Sequence, residues 1–174
     1  MTTPEWSRPE RLDTIGEGER TVTISADEEE RRALARRFDL PGIERLEASF
    51  ALRREAAGIA ATGRVTAELR QACSVTGEPL TTRIDEPVAL RFVEPATGGD
   101  EVELSADALD TIEIEGGAID LGEAAAETMA LAIDPFVRGP NAASALARAG
   151  VLTEDQTGPF AALAALKREQ GGAG

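Results

Sequence analysis

The sequence predicts an α+β fold: an antiparallel, hairpin-rich twisted sheet, partly barrel-like, flanked by helices and followed by a helical C-terminal segment. Three observations point there. Residues 46–53, 59–70 and 84–92 alternate apolar and polar side chains with a period of two, as strands with one buried and one wet face do. Residues 26–38 and 120–133 carry the apolar spacing and N-terminal capping residues of helices. A chain of 174 residues that is 42% apolar but only 3% aromatic has material for one core, built on Leu, Ile, Val and Ala. The expected organisation is a flexible lead-in over 1–19, a core domain over 20–138 and a C-terminal extension over 139–174.

The lead-in is polar and holds Pro4, Pro9, Gly16 and Gly18, so no more than a short extended piece is expected in it. Arg20–Ile24 alternates and is rich in β-branched residues, the pattern of a short strand. Ser25 with Glu28 three residues on reads as a capping box for a helix over 26–38, which Leu40-Pro41-Gly42 ends. Two alternating runs follow, joined by Ala56-Ala57-Gly58 as an antiparallel hairpin. Cys73–Leu80 is a turn containing Gly77 and Pro79. A third long strand carries Pro87, which cannot donate a ladder hydrogen bond and so marks an edge or a bulge. Residues 94–110 read as an exposed acidic loop, and 110–115 as another short strand closed by Gly116-Gly117. Asp120 then caps a helix, with Glu123 as the reciprocal partner of a second capping box, and Asp134-Pro135 stops it. One or two helical turns are expected at 144–149 and a last helix at 160–169, with Pro159 in its first turn.

Charge and composition exclude several chemistries. The net charge is −14, and it is uneven: residues 1–91 hold 14 basic and 17 acidic residues, residues 92–174 only 4 and 15. Such a chain is repelled by phosphate over most of its surface, and the polarity suits a basic partner. Histidine is absent, which removes Ser-His-Asp and Cys-His catalysis, His-ligated zinc and imidazole proton shuttling. The one cysteine, Cys73, can form no intrachain disulfide, which fits a reducing compartment. There is no apolar run of the roughly 18–20 residues that a membrane span needs. The N-terminal residues lack the apolar core of a signal peptide, so a cytoplasmic location is expected.

The candidate sites are contact residues. Cys73 has no base and no second cysteine, so it reads as a thiol in a turn rather than a nucleophile or metal ligand. Asp120, Glu123 and Glu127 share one helix face. That face is either a capped, solvated one or a carboxylate stripe able to grip a partner's Arg/Lys or a divalent cation. Asp134, Phe136 and Arg138 lie in a Pro-flanked string that is either a rigid recognition segment or a connector whose Phe136 plugs the core. Arg53, Arg64, Arg70, Arg83 and Arg91 fall mostly on the wet parity of the strands, where they would make a basic strip. The 160–169 helix either docks on the body or is ordered by a partner.

The order of several strings resembles one family: Cys73–Leu80 after a hairpin, Phe92-Val-Glu-Pro95, Ile119–Glu123, Glu127–Phe136 and Pro159–Lys167. The chain is similar to the YceD family, the large ribosomal RNA subunit accumulation proteins, from about residue 20 to residue 168. The resemblance implies a role in the synthesis, processing or stability of large-subunit ribosomal RNA in bacteria, in a family for which no catalytic residues are established; no cofactor and no small-molecule substrate are expected. It also implies a ribosomal protein or a pre-ribosomal particle as partner, with indirect or local contact to rRNA. Many relatives carry Cys-x-x-Cys in this turn. Here Thr76 takes the second position, and Val137 stands where the family's Asp-Pro-x-Pro-Arg string has proline. The alternative is an acidic adaptor that holds a basic cytosolic protein and has nothing to do with RNA. Metal-assisted catalysis by carboxylates is set aside, because nothing in the sequence brings carboxylates from separate elements together.

Overall fold

The computed structural model describes residues 4–95, 110–114 and 116–151. They fall into two units, one built from residues up to Gln71 and from Pro79 to Pro135, the other from Ala72–Glu78 and the residues from Phe136 onward. The division after Pro135 places the Cys73 turn in the second unit. The expected 160–169 helix and most of the 94–110 loop lie outside the described residues.

In the first unit the elements run as β1 (Pro9–Arg11), a 3-10 turn (Leu12–Thr14), β2 (Arg20–Ser25), α1 (Glu28–Arg37), β3 (Gly42–Glu55), β4 (Gly58–Ala72), β5 (Pro79–Val93), β6 (Asp110–Glu113), β7 (Ala118–Asp120) and α2 (Leu121–Leu131). Strands β2 to β6 form one sheet in sequence order, with β2 and β6 as its edges, and nothing in that order requires closure into a barrel. The register places Leu46, Ala48 and Leu52 of β3 opposite Ala67, Val65 and Ala61 of β4, so the apolar parity of both strands shares one face. Those residues, with Phe50, Leu69, Val88, Leu90 and Phe92, are buried. Helix α1 packs against β3, and α2 against β5 and β1. The hairpin closes at Glu55↔Gly58. Gly58 has φ +131° there, and a Cβ on it would lie 2.2 Å from the Phe92 carbonyl oxygen.

Four expectations need correcting. Strand β6 runs parallel to β5, pairing Leu90 with Asp110 through Val93 with Glu113. The residues between Val93 and Asp110 exceed the dozen or so that a parallel return requires. The first capping box is Asp27 with Glu30, not Ser25 with Glu28. Ser25 still belongs to β2, paired with Glu47, and the Ala26 amide bonds the Leu46 carbonyl, so helical turns begin only beyond them. Asp120 caps α2 as expected, accepting from the Gly122 and Glu123 amides at 3.0 and 3.2 Å. Glu123, the expected reciprocal partner, turns instead to Arg37.

The fourth correction concerns the lead-in, which is packed rather than loose over its described residues. Trp6 is fully buried and Ile15 nearly so. Strand β1 pairs with β7 as a separate two-stranded sheet. The Ser7 hydroxyl and the Arg8 amide donate to Asp120 at 2.5 and 2.8 Å. Gly122 lets this strap lie flat on α2, because a Cβ there would sit 2.3 Å from the Trp6 carbonyl oxygen.

In the second unit the 72–78 turn is held by the Cys73 amide on the Glu78 carbonyl and the Gly77 amide on the Cys73 carbonyl, both 2.8 Å. Helix α3 (Ala142–Arg148) begins earlier than the expected 144–149 turn. Its N-terminal neighbour Asn141 gives its side chain to Glu78 rather than to a cap.

Candidate functional site

The wet face of the sheet carries the arginines expected there, and each has an acidic neighbour. Arg64 pairs with Asp85. Arg70 pairs with Glu44 at 2.6 Å, Arg83 with Glu68 at 3.3 Å, and Arg91 reaches Glu55 at 3.5 Å. Arg45 with Glu47 and Arg53 with Glu55 complete the pattern. Six arginines thus meet five carboxylates. The face is a lattice of ion pairs rather than a uniformly basic strip. Most of these pairs are well exposed, and each contributes about 0–1 kcal/mol, so they are easily exchanged for other partners.

A basic concavity lies at one end of this sheet, between α1 and the start of β3. Arg31, Arg32, Arg36 and Arg70 line it with Glu28 and Glu44. Arg32 pairs with Glu28, four residues away on the same helix. Arg31 donates to the Ala26 carbonyl at 2.6 Å. Among the described residues neither Arg31 nor Arg36 has a carboxylate partner. Sequence reasoning found Arg70 but missed the three helical arginines. The signal was present as Arg-Arg at 31–32 and 36–37 on a short helix, yet which of them pair across space was not legible.

The predicted carboxylate stripe on α2 separates into three roles. Asp120 spends both oxygens on the strap and the helix N-terminus. Glu123 grips Arg37 through both oxygens at 2.9 and 2.7 Å, and Glu5 joins at 3.0 Å. The two carboxylates hold the Arg37 guanidinium still further above its ordinary range, Glu123 chiefly by its hydrogen bonds. Glu127 is exposed and borders a groove between α2 and β5. Only Glu127 of the three is left facing outward. Asp134, exposed at the end of α2, gives its carbonyl to the buried Gln71 side chain at 3.0 Å.

In the second unit the structure brings Cys73, Phe136 and Arg138 into one neighbourhood of chain. The Ser74 amide bonds the Val137 carbonyl at 2.9 Å, and the Ser74 hydroxyl bonds the Phe136 carbonyl at 3.2 Å. Phe136 does not plug a core, because it is 73% exposed, and Arg138 is exposed as well. Cys73 is buried, and its Sγ accepts the Gly139 amide at 3.3 Å and the Thr76 amide at 3.4 Å. These donors, Gly139 first, favour the thiolate and lower the thiol from 9.0 to about 7. Thr76 adds no second sulfur. Its hydroxyl bonds Glu78 at 3.0 Å. Among the described residues no three His, Cys, Asp or Glu side chains converge as a metal site. Nor is any described helix long and apolar enough to cross a membrane.

A family model described as large ribosomal RNA subunit accumulation protein YceD matches residues 61–167. The chain belongs to the YceD family. No curated protein and no solved structure matches it. The YceD match begins at Ala61 inside β4 and takes in the Cys73 turn, β5, β6, α2 and α3. The basic concavity is contributed mostly by residues before it, Arg70 excepted. Membership of the YceD family gives the protein a ribosome-related role.

Proposed function

We propose that the protein supports large-subunit rRNA by binding to a pre-ribosomal particle, without catalysis and without a cofactor. The observation that carries this reading is the segregation of its charge. A chain of net charge −14 concentrates four arginines against two carboxylates in the concavity between α1 and β3. A local basic patch on an acidic body restricts phosphate contact to that patch, since the remaining surface repels nucleic acid. Arg31 and Arg36 supply charge that no carboxylate among the described residues neutralises. Arg70 joins by exchanging Glu44 for phosphate, at a cost on the scale of an exposed ion pair, about 0–1 kcal/mol.

Sedimentation with precursor large subunits tests the reading. The chain co-sediments at low salt, and the association weakens steadily as salt rises, because each phosphate contact adds roughly 0.7–0.9 to the salt slope. Arg31→Glu with Arg36→Glu reduces both the affinity and the slope. Absence of association, or association indifferent to salt and to these changes, refutes it.

A further inference from the structure

We propose that the groove between α2, β5 and β6 is the docking site for a basic protein segment with one apolar stripe, the chemistry of an amphipathic Lys/Arg-rich helix. The floor of the groove is apolar, made by Val88 and Leu90 of β5 and Ile112 of β6. Its wall is the last turn of α2, where Leu131 is 89% exposed, the most exposed large apolar side chain of those described. The rim holds Glu86, Asp110 and Glu127, and no lysine or arginine among the described residues lines the site. Among the described residues, β6 leaves this part of β5 unpaired. The described pairing with β6 reaches back along β5 to Leu90, so Glu86 and Pro87 lie outside it, and Pro87 offers no N–H to extend the ladder.

Charge selects the occupant. Three carboxylates around an apolar floor repel a phosphate backbone, so RNA is disfavoured here. A second copy of the chain seated about a twofold axis would bring acidic rim against acidic rim. A helix with leucines at spacings of three and four answers the floor, and lysines or arginines flanking that stripe answer the rim. The inference deepens the proposed function and rests on it only for where the partner is met. The groove residues are distinct from the arginines of the α1–β3 concavity.

A labelled synthetic helix with leucines at i, i+4 and i+7 and flanking lysines is the probe, titrated into the full chain by fluorescence anisotropy. It binds with an affinity that falls as salt rises, whereas the same peptide with glutamates in place of lysines does not bind. Leu131→Asp and, separately, Glu127→Lys each weaken binding by about tenfold or more. Both positions are exposed, so circular dichroism should report an unchanged fold. Glu86→Lys combined with Glu127→Lys gains affinity for the glutamate peptide while still co-sedimenting with precursor subunits. That keeps failure here distinguishable from failure of the rRNA reading. No binding, or binding unaffected by Leu131→Asp and Glu127→Lys, overturns the proposal. So does a dimer abolished by Leu131→Asp, which would give the groove to a second copy. So does a rise in peptide affinity on Leu163→Asp with Leu166→Asp, which would give it to the chain's own C-terminal residues. So would RNA competing for the groove.

Discussion

Two backbone amides aim at the Cys73 sulfur, and the consequence is a pH-dependent stability. The folded thiol titrates near 7, below its ordinary 9.0. A depressed pKa contributes stability that is complete above the unfolded value and is lost as pH falls through the folded one. The denaturation midpoint of the native chain relative to Cys73→Ser should therefore decline between pH 9.0 and about 7 and level off below that. Ultraviolet thiolate absorbance should show the same midpoint. A titration at the ordinary thiol value would mean that the Gly139 and Thr76 amides do not hold the sulfur. Gly122 makes a second prediction. In an open helix Ala is favoured over Gly by about 1 kcal/mol. Here a Cβ meets the Trp6 carbonyl at 2.3 Å, and overpacking of that kind costs about 1–3 kcal/mol. Gly122→Ala should lower the thermal midpoint, and a raised one would show that the strap is not seated on α2.

Among the elements, the long strands were the most legible. β3, β4 and β5 alternate because one face is roofed by helices while the other meets water, and that asymmetry is written residue by residue. Elements fixed by distant partners were not legible. β1 and β7 are three residues each, too short for a period, and their pairing joins positions such as Glu10 and Ile119. The start of α1 was misread by two residues because Ser25-x-x-Glu28 and Asp27-x-x-Glu30 are overlapping versions of one signal. What decides between them is the register of β2 on β3, a tertiary fact. This distinction is measurable: Asp27→Ala should cost about 1 kcal/mol in urea unfolding, the usual value of a lost N-cap, whereas Ser25→Ala should stay within about 0.5 kcal/mol. Equal effects would return the cap to Ser25. At the contact surfaces the same limit applies. Arginine parity was readable on the strands, but the carboxylate that each one meets across the sheet was not. The groove could not be anticipated either, because it depends on how far β5 runs past its described pairing with β6.

For the molecule as a whole, the net charge of −14 hides three different electrostatic territories in the first unit: a near-neutral lattice on the wet face, a basic concavity beside α1, and an acid-rimmed apolar groove beside α2. Contact with a ribonucleoprotein uses such a division well, since the RNA and protein faces of one particle call for opposite signs. The N-terminal strap has a consequence of another kind. Trp6 and its neighbours find their partners at Asp120, 112 residues downstream of Arg8, and at Gly122 just beyond it. As the chain leaves the ribosome, the β2–β4 hairpins can form early from neighbouring residues, but the indole must wait in solvent until α2 has been synthesised. Closure of the strap is thus a late event of biosynthesis, and a nascent chain arrested before residue 120 should expose a tryptophan that the finished protein hides.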